Sequence, residues 1–180
     1  MENISFQREK MRELILTIAK AEEHDQSFGR VKLAKLLYYM DNEAYLRLGQ
    51  PITGATYQKL KDGPAAREFL ALREEMLTNG EATETALEWP NGLKSFRLVA
   101  MREPKSAVLS EGESAVIARV LRRFKGVGGG AISKQSHEEI GWRVAPAGGT
   151  IPYPAYLLAP KVTERQRAFA RKKAVSLGLT

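Results

Sequence analysis

Residues Phe124 to His137 read FKGVGGGAISKQSH, four glycines and a lysine in a run of the kind that cradles phosphate. Gly126, Gly128 and Ala131 satisfy the dinucleotide pattern G-x-G-x-x-G/A, but that pattern works only where a strand delivers the turn to a helix N-terminus. Here the preceding VIARVLRRFK has helical periodicity. The other phosphate loop sets a glycine directly before its lysine, so that backbone donors and ammonium converge, whereas Ser133 precedes Lys134. The run therefore reads as a flexible joint between two helices. His137 is followed by Glu138 and Glu139, yet a zinc-protease helix would carry its second histidine one turn on, where Gly141 stands. A buried or capping histidine is the better reading of His137. Asp41 and Glu43 are too close in helical phase to face each other across a cleft, and no nucleophile elbow frames a serine. The chain has no cysteine, which excludes thiolate zinc sites, disulfides and a cysteine nucleophile. The expectation is a protein that is not an enzyme and uses no metal and no cofactor.

The elements that must position these residues are mostly helices. Apolar spacing predicts a first helix over Phe6 to His24 and a second over Val31 to Leu48, stopped by Gly49 as a left-handed cap. Ala55 to Leu60 predicts a short extended piece, with Asp62-Gly63-Pro64 as a turn and Pro64 starting a third helix over Ala65 to Thr78. Ala82 to Trp89 and Leu93 to Met101 flank Pro-Asn-Gly as a hairpin. Ser110 and Glu113 form a capping box that opens a fourth helix running to Phe124. A short helix over Ala131 to His137 follows, then Trp142 and a Pro- and Gly-rich loop. Thr163 with Gln166 caps a last helix running to about Ser176. The fold class is mainly α with a small antiparallel β-hairpin or sheet (α+β), one compact helical domain over residues 1–160 with a basic C-terminal helix or tail over residues 161–180.

A chain of 180 residues can bury one substantial core. It has no membrane-length apolar run and no secretory leader pattern at its start, so a cytoplasmic location without membrane contact is expected. The net charge of +7 is placed unevenly. Thr163 to Lys173 holds Arg165, Arg167, Arg171, Lys172 and Lys173 against Glu164 alone, and this segment is the candidate for weak, nonspecific nucleic-acid binding.

Lys32-Leu33-Ala34-Lys35-Leu36-Leu37-Tyr38-Tyr39-Met40-Asp41, with Tyr45 and Gly49 after it, resembles the signature helix of the Panacea domain of SocA-like antitoxins. The resemblance continues through Pro51 to Tyr57, the turn at Gly63-Pro64, the helix opened by Leu109-Ser110, the group Gln135-Ser136-His137-Glu138 with Trp142, and Ile151-Pro152-Tyr153. It covers about Met11 to Tyr156; three consecutive glycines and the basic segment after Thr163 depart from it. It implies an antitoxin-like module that neutralises a cognate toxin by direct contact, with a protease as a further partner where such a protein acts as an adaptor, and with relatives among phage-associated proteins.

On the second helix Leu33, Leu36, Leu37 and Met40 form an apolar stripe for the core. Lys32, Lys35, Tyr39 and Asn42 project from other faces, as a solvated surface or as partner contacts. Asp41 has a structural pairing with Lys61 or Arg67 open to it, and partner contact as the alternative. Tyr57, His137 and Trp142 complete the motif residues offered for partner binding. Trp89, Trp142 and Tyr153 are expected to pack, and would anchor a partner if exposed together. Oligomeric state is left open.

Overall fold

The computed structural model describes residues 4–88, 92 and 94–158. The last helix expected from Thr163, the boundary after residue 160, Trp89, and Arg165, Arg167, Arg171, Lys172 and Lys173 lie outside the described residues.

Helix α2 (Arg30–Leu48) is the axis of the molecule. Every residue from Lys32 to Asp41, and Asn42 after it, is buried. Helix α1 (Arg8–Ala21), helix α4 (Glu111–Arg123), helix α5 (Gly129–His137) and the strand β2 (Gly63–Ala66) all pack on it. The expected stripe of Leu33, Leu36, Leu37 and Met40 lies in the core together with Leu14, Ile15 and Ile18 of α1 and Val116, Ile117 and Val120 of α4. A helix wrapped on all sides must be apolar throughout or find partners for the polar groups it buries; α2 does the second for Lys32, Lys35, Asp41 and Asn42. Gly49 ends it at φ 79°, with its N–H donating to the Tyr45 carbonyl.

Two small antiparallel sheets flank the helices. Strand β1 (Tyr57–Leu60) pairs with β2 from Tyr57 opposite Ala66 to Leu60 opposite Gly63. On its other side β1 exchanges backbone hydrogen bonds with Gly148, Gly149 and Ile151, so the Pro- and Gly-rich loop is tied down without becoming a strand. Strands β3 (Ala82–Glu88) and β4 (Lys94–Ala100) form the expected hairpin, in register from Ala82 opposite Ala100 to Glu88 opposite Lys94.

The third helix differs from expectation. Pro64 does not start it; Gly63 to Ala66 is extended as β2, and helix α3 spans Phe69–Thr78. Gly63 stands at φ 97°, and the Pro64 carbonyl accepts the Lys35 ammonium at 2.8 Å, which ties this segment to α2 as an edge strand that proline tolerates. The Ser110 and Glu113 capping box opens α4 as read. After α4 the glycines do separate jobs. Gly126 turns at φ 71°, Gly128 caps α5, and Gly129 enters α5, where an added Cβ would lie 3.3 Å from the Val31 Cβ. The joint thus lets α5 approach the first turn of α2 closely, and α5 begins two residues before the expected Ala131.

Candidate functional site

The signature polar residues of α2 do not form a surface. Lys32 is 0%, Lys35 2%, Tyr39 0% and Asp41 0% exposed, and Tyr57 on β1 is 2% exposed. The reading of Lys32, Lys35, Tyr39 and Asn42 as outward-facing is corrected: α2 has no solvent face over this length, because α5 and β2 cover the sides left by α1 and α4.

Lys32, Lys35, Asp41 and Asn42 each meet an internal partner. The Lys32 ammonium donates to Glu22 at 2.6 Å and to Asp25 at 2.5 Å, joining the turn after α1 to the first turn of α2. Burial pushes the Glu22 carboxyl up. It also acts on Asp25, but there Lys32 and the Ser27 donors win and hold the carboxyl well below the usual range. The Lys35 ammonium has the Pro64 carbonyl as acceptor, and burial pushes its pKa down to about 8 against the pull of Asp62. Ser133 donates to the Asp62 carbonyl at 2.6 Å and Ser136 to the Ser133 carbonyl at 2.7 Å, so α5 closes over the same hairpin turn. Asn42 donates to the Tyr38 carbonyl.

Asp41 pairs with neither Lys61 nor Arg67, both of which are exposed. Its carboxylate accepts from the Thr53 backbone N–H at 2.7 Å, the Thr53 hydroxyl, and the Tyr57 hydroxyl at 2.8 Å. The Tyr153 hydroxyl lies 3.4 Å away and donates at 2.8 Å to the Ala55 carbonyl. Burial raises the Asp41 pKa to about 6, with the Thr53 and Tyr57 hydrogen bonds opposing. Neutral donors serve here because they satisfy a carboxylate without burying a second charge. This knot joins α2, the loop after it, β1 and the 3-10 turn Tyr153–Leu157.

His137 and Trp142 are half-buried neighbours, their rings stacked at 4.0 Å and 17°. Trp142 donates to the Leu60 carbonyl at 3.3 Å and carries the Lys59 ammonium 4.5 Å over its ring. The pair fastens the end of α5 and helix α6 (Ile140–Val144) to β1. Tyr153 is buried, so Trp142 and Tyr153 do not form a joint exposed anchor.

The exposed chemistry is elsewhere, along the seam of α2 and α4. The helices run antiparallel, since Gly112 lies against Leu48 while the Tyr39 and Phe124 rings meet at 4.8 Å. An open groove of about 430 Å³ follows the seam, lined by Glu43, Arg47, Arg119, Val120, Arg122 and Arg123. Arg47 donates to Glu43 at 2.8 Å, and Arg123 reaches Glu43 at 3.6 Å while lying over the Tyr39 and Phe124 rings. Beneath it the Tyr39 hydroxyl is buried, close to Glu139 but outside hydrogen-bonding geometry. Sequence reasoning missed this group. The signal available was the spacing of Arg119, Arg122 and Arg123, which share the face of α4 opposite Ile117 and Leu121.

Among the described residues no cluster of His, Asp and Glu is arranged as metal ligands would be, and no helix is long and apolar enough to cross a membrane. A family model described as "Antitoxin SocA-like, Panacea domain" matches residues 33–143, more than half of the chain. No curated protein and no solved structure matches it.

Proposed function

This chain belongs to the SocA-like antitoxin, Panacea-domain family, and from that premise we propose that it neutralises a cognate toxin by direct contact, acting through a shaped surface and making or breaking no covalent bond. The family gives an antitoxin-like role and a toxin as partner in general terms. Direct neutralisation, delivery of the toxin to a protease and a phage setting are the finer parts of the proposal.

One observation carries the reading. The charged residues of the signature helix, Lys32, Lys35 and Asp41, which a catalytic account would enlist, are occupied inside the fold by Glu22, Asp25, Pro64, Thr53 and Tyr57. They tie α2 to the turn after α1, to β1 and to β2, and a body held in one shape before binding suits recognition of a macromolecule at low entropic cost.

Co-expression with the product of the adjacent toxic gene should restore growth, and the two proteins should co-purify as a complex. A chain that stays monomeric beside that product and binds duplex DNA tightly at moderate salt would overturn the proposal in favour of nucleic-acid binding.

A further inference from the structure

We infer that the groove between α2 and α4 is where the toxin docks, and that Arg119 and Arg122 receive carboxylates of an acidic toxin segment there; this rests on the antitoxin reading above. The charges of the groove divide into two sets. Arg47 and Arg123 are occupied: both pair with Glu43, which also accepts from the Tyr156 hydroxyl at 3.3 Å, and Glu139 lies behind them. Arg119 and Arg122 have no acidic partner among the described residues, and both are exposed. They stand three residues apart on one face of α4, with Arg123 beside them, a spacing at which like charges repel. The helix dipole favours Arg122 and Arg123 in the last turn of α4, but Arg119 lies one turn further in, where that compensation fades. Two planar guanidiniums over a neutralised floor match the forked geometry of carboxylates.

The surroundings favour an acidic protein segment over a nucleic-acid strand. A phosphodiester backbone carries one charge per nucleotide and needs a continuous basic track. Here the track is short. Arg119 and Arg122 are the cations of the groove without an acidic partner among the described residues, and the neighbouring cleft of about 500 Å³, which shares Arg122, adds Lys125 beside Glu22 and Asp25, both already held by Lys32. Leu46 and Leu48 are exposed on the last turn of α2, with Leu48 beside Gly112 of α4, and they offer apolar contact to a protein and none to a phosphate. Arginine beside leucine around a concave seam is the make-up of a protein interface.

The test uses the full chain, Arg119→Glu/Arg122→Glu, Arg119→Gln/Arg122→Gln, and, as a control, Arg171→Glu/Lys172→Glu/Lys173→Glu. Fluorescence anisotropy with a labelled hexaglutamate peptide should show Kd rising at least tenfold in both groove variants and staying within twofold in the control. Thermal melts should show each groove variant folded; the glutamine pair decides the matter if the glutamate pair does not fold. A loss that follows the control variant instead, or a dT12 oligonucleotide that binds through Arg119 and Arg122 more tightly than the peptide, overturns the inference. Growth rescue against the adjacent toxic gene product separates the two levels. Rescue by wild type that the groove variants abolish supports both. Rescue that the groove variants retain sinks the groove and leaves the antitoxin reading standing. Failure of wild type to rescue sinks the antitoxin reading, and with it the toxin as occupant.

Discussion

Lys32 and Arg119 are both cations on helices of the same core, yet the fold treats them in opposite ways. Lys32 is sealed from water and clamps two carboxylates from the preceding turn. Arg119 is exposed and, among the described residues, pairs with none. The same contrast separates the two regions to which they belong. Along the middle of α2 the charged groups Lys32, Lys35 and Asp41 are each committed to another segment of the fold, so that changing one strands its partner in a dry interior. Along the outer seam of α2 and α4 the charges are balanced in the floor and unspent at the rim. Specificity is to be sought at the rim. A residue whose neighbours depend on it holds the fold together, and a residue on which nothing internal depends is open to serve a partner.

The sharpest way to break that division is to remove a committed group. Lys32→Ala leaves Glu22 and Asp25 facing each other without their shared cation, and urea denaturation should show a loss of about 3–5 kcal/mol. A loss below about 1 kcal/mol would mean that the clamp is ornamental and that α2 is held by its apolar stripe alone.

The committed set also holds a titrating group, Asp41. Its folded pKa of about 6 lies above the ordinary 3.8, so between these values the folded chain keeps a proton that the unfolded chain has released. The stability this contributes is fully present below pH 3.8 and is lost as pH rises through 6, about 3 kcal/mol in all. Carboxylates with lowered pKa, such as Glu13, titrate in the opposite sense, so the readout is the difference between wild type and Asp41→Asn. Wild type should lose ground to the variant between pH 4 and pH 6 and hold level above about pH 7. A difference that does not vary with pH would show that Asp41 is not the buried titrating group.

Gly63→Ala comes next in size. An alanine there would carry φ 97° and place its Cβ 2.4 Å from the Ser136 hydroxyl oxygen and 2.7 Å from Lys35 Cε, for a loss of about 1–3 kcal/mol. Gly63→Ala/Ser136→Ala should recover part of it in the same denaturation assay, because the nearest obstacle is gone while the backbone strain stays. No recovery would place the cost in the backbone angle and the remaining contact with Lys35.

These residues also mark what could be read from sequence. The stripe from Leu33 to Met40, the Ser110 box, the Gly49 cap and the hairpin around Pro-Asn-Gly rest on local spacing, and local spacing is visible in one chain. Strand β2 was not visible, because Gly63-Pro64 by itself reads as a turn into a helix. What makes it a strand is its pairing with β1, and Lys35, distant in sequence, holds the Pro64 carbonyl from the other side. The burial of Lys32, Lys35 and Tyr39 was hidden for the same reason: a period of 3.6 shows one apolar stripe, and nothing local reveals that α5 and β2 wrap the remaining faces. The groove required two helices to be known as neighbours before Arg47 and Arg123 could be set around one Glu43.

The smallest expected change in stability is the one that most directly tests the unspent rim. Arg119→Ala/Arg122→Ala removes two guanidiniums that no described residue uses, and substitutions on such a surface move stability by less than about 0.5 kcal/mol. The sign should be slightly favourable, since like charges three residues apart on α4 are relieved. Denaturation alongside Arg47→Ala makes the measurement decisive, because Arg47 donates to Glu43 and its loss should cost up to about 1 kcal/mol. If the double variant proves the more damaging of the two, Arg119 and Arg122 are holding the helix after all. The rim would then belong with the clamp around Lys32 rather than against it.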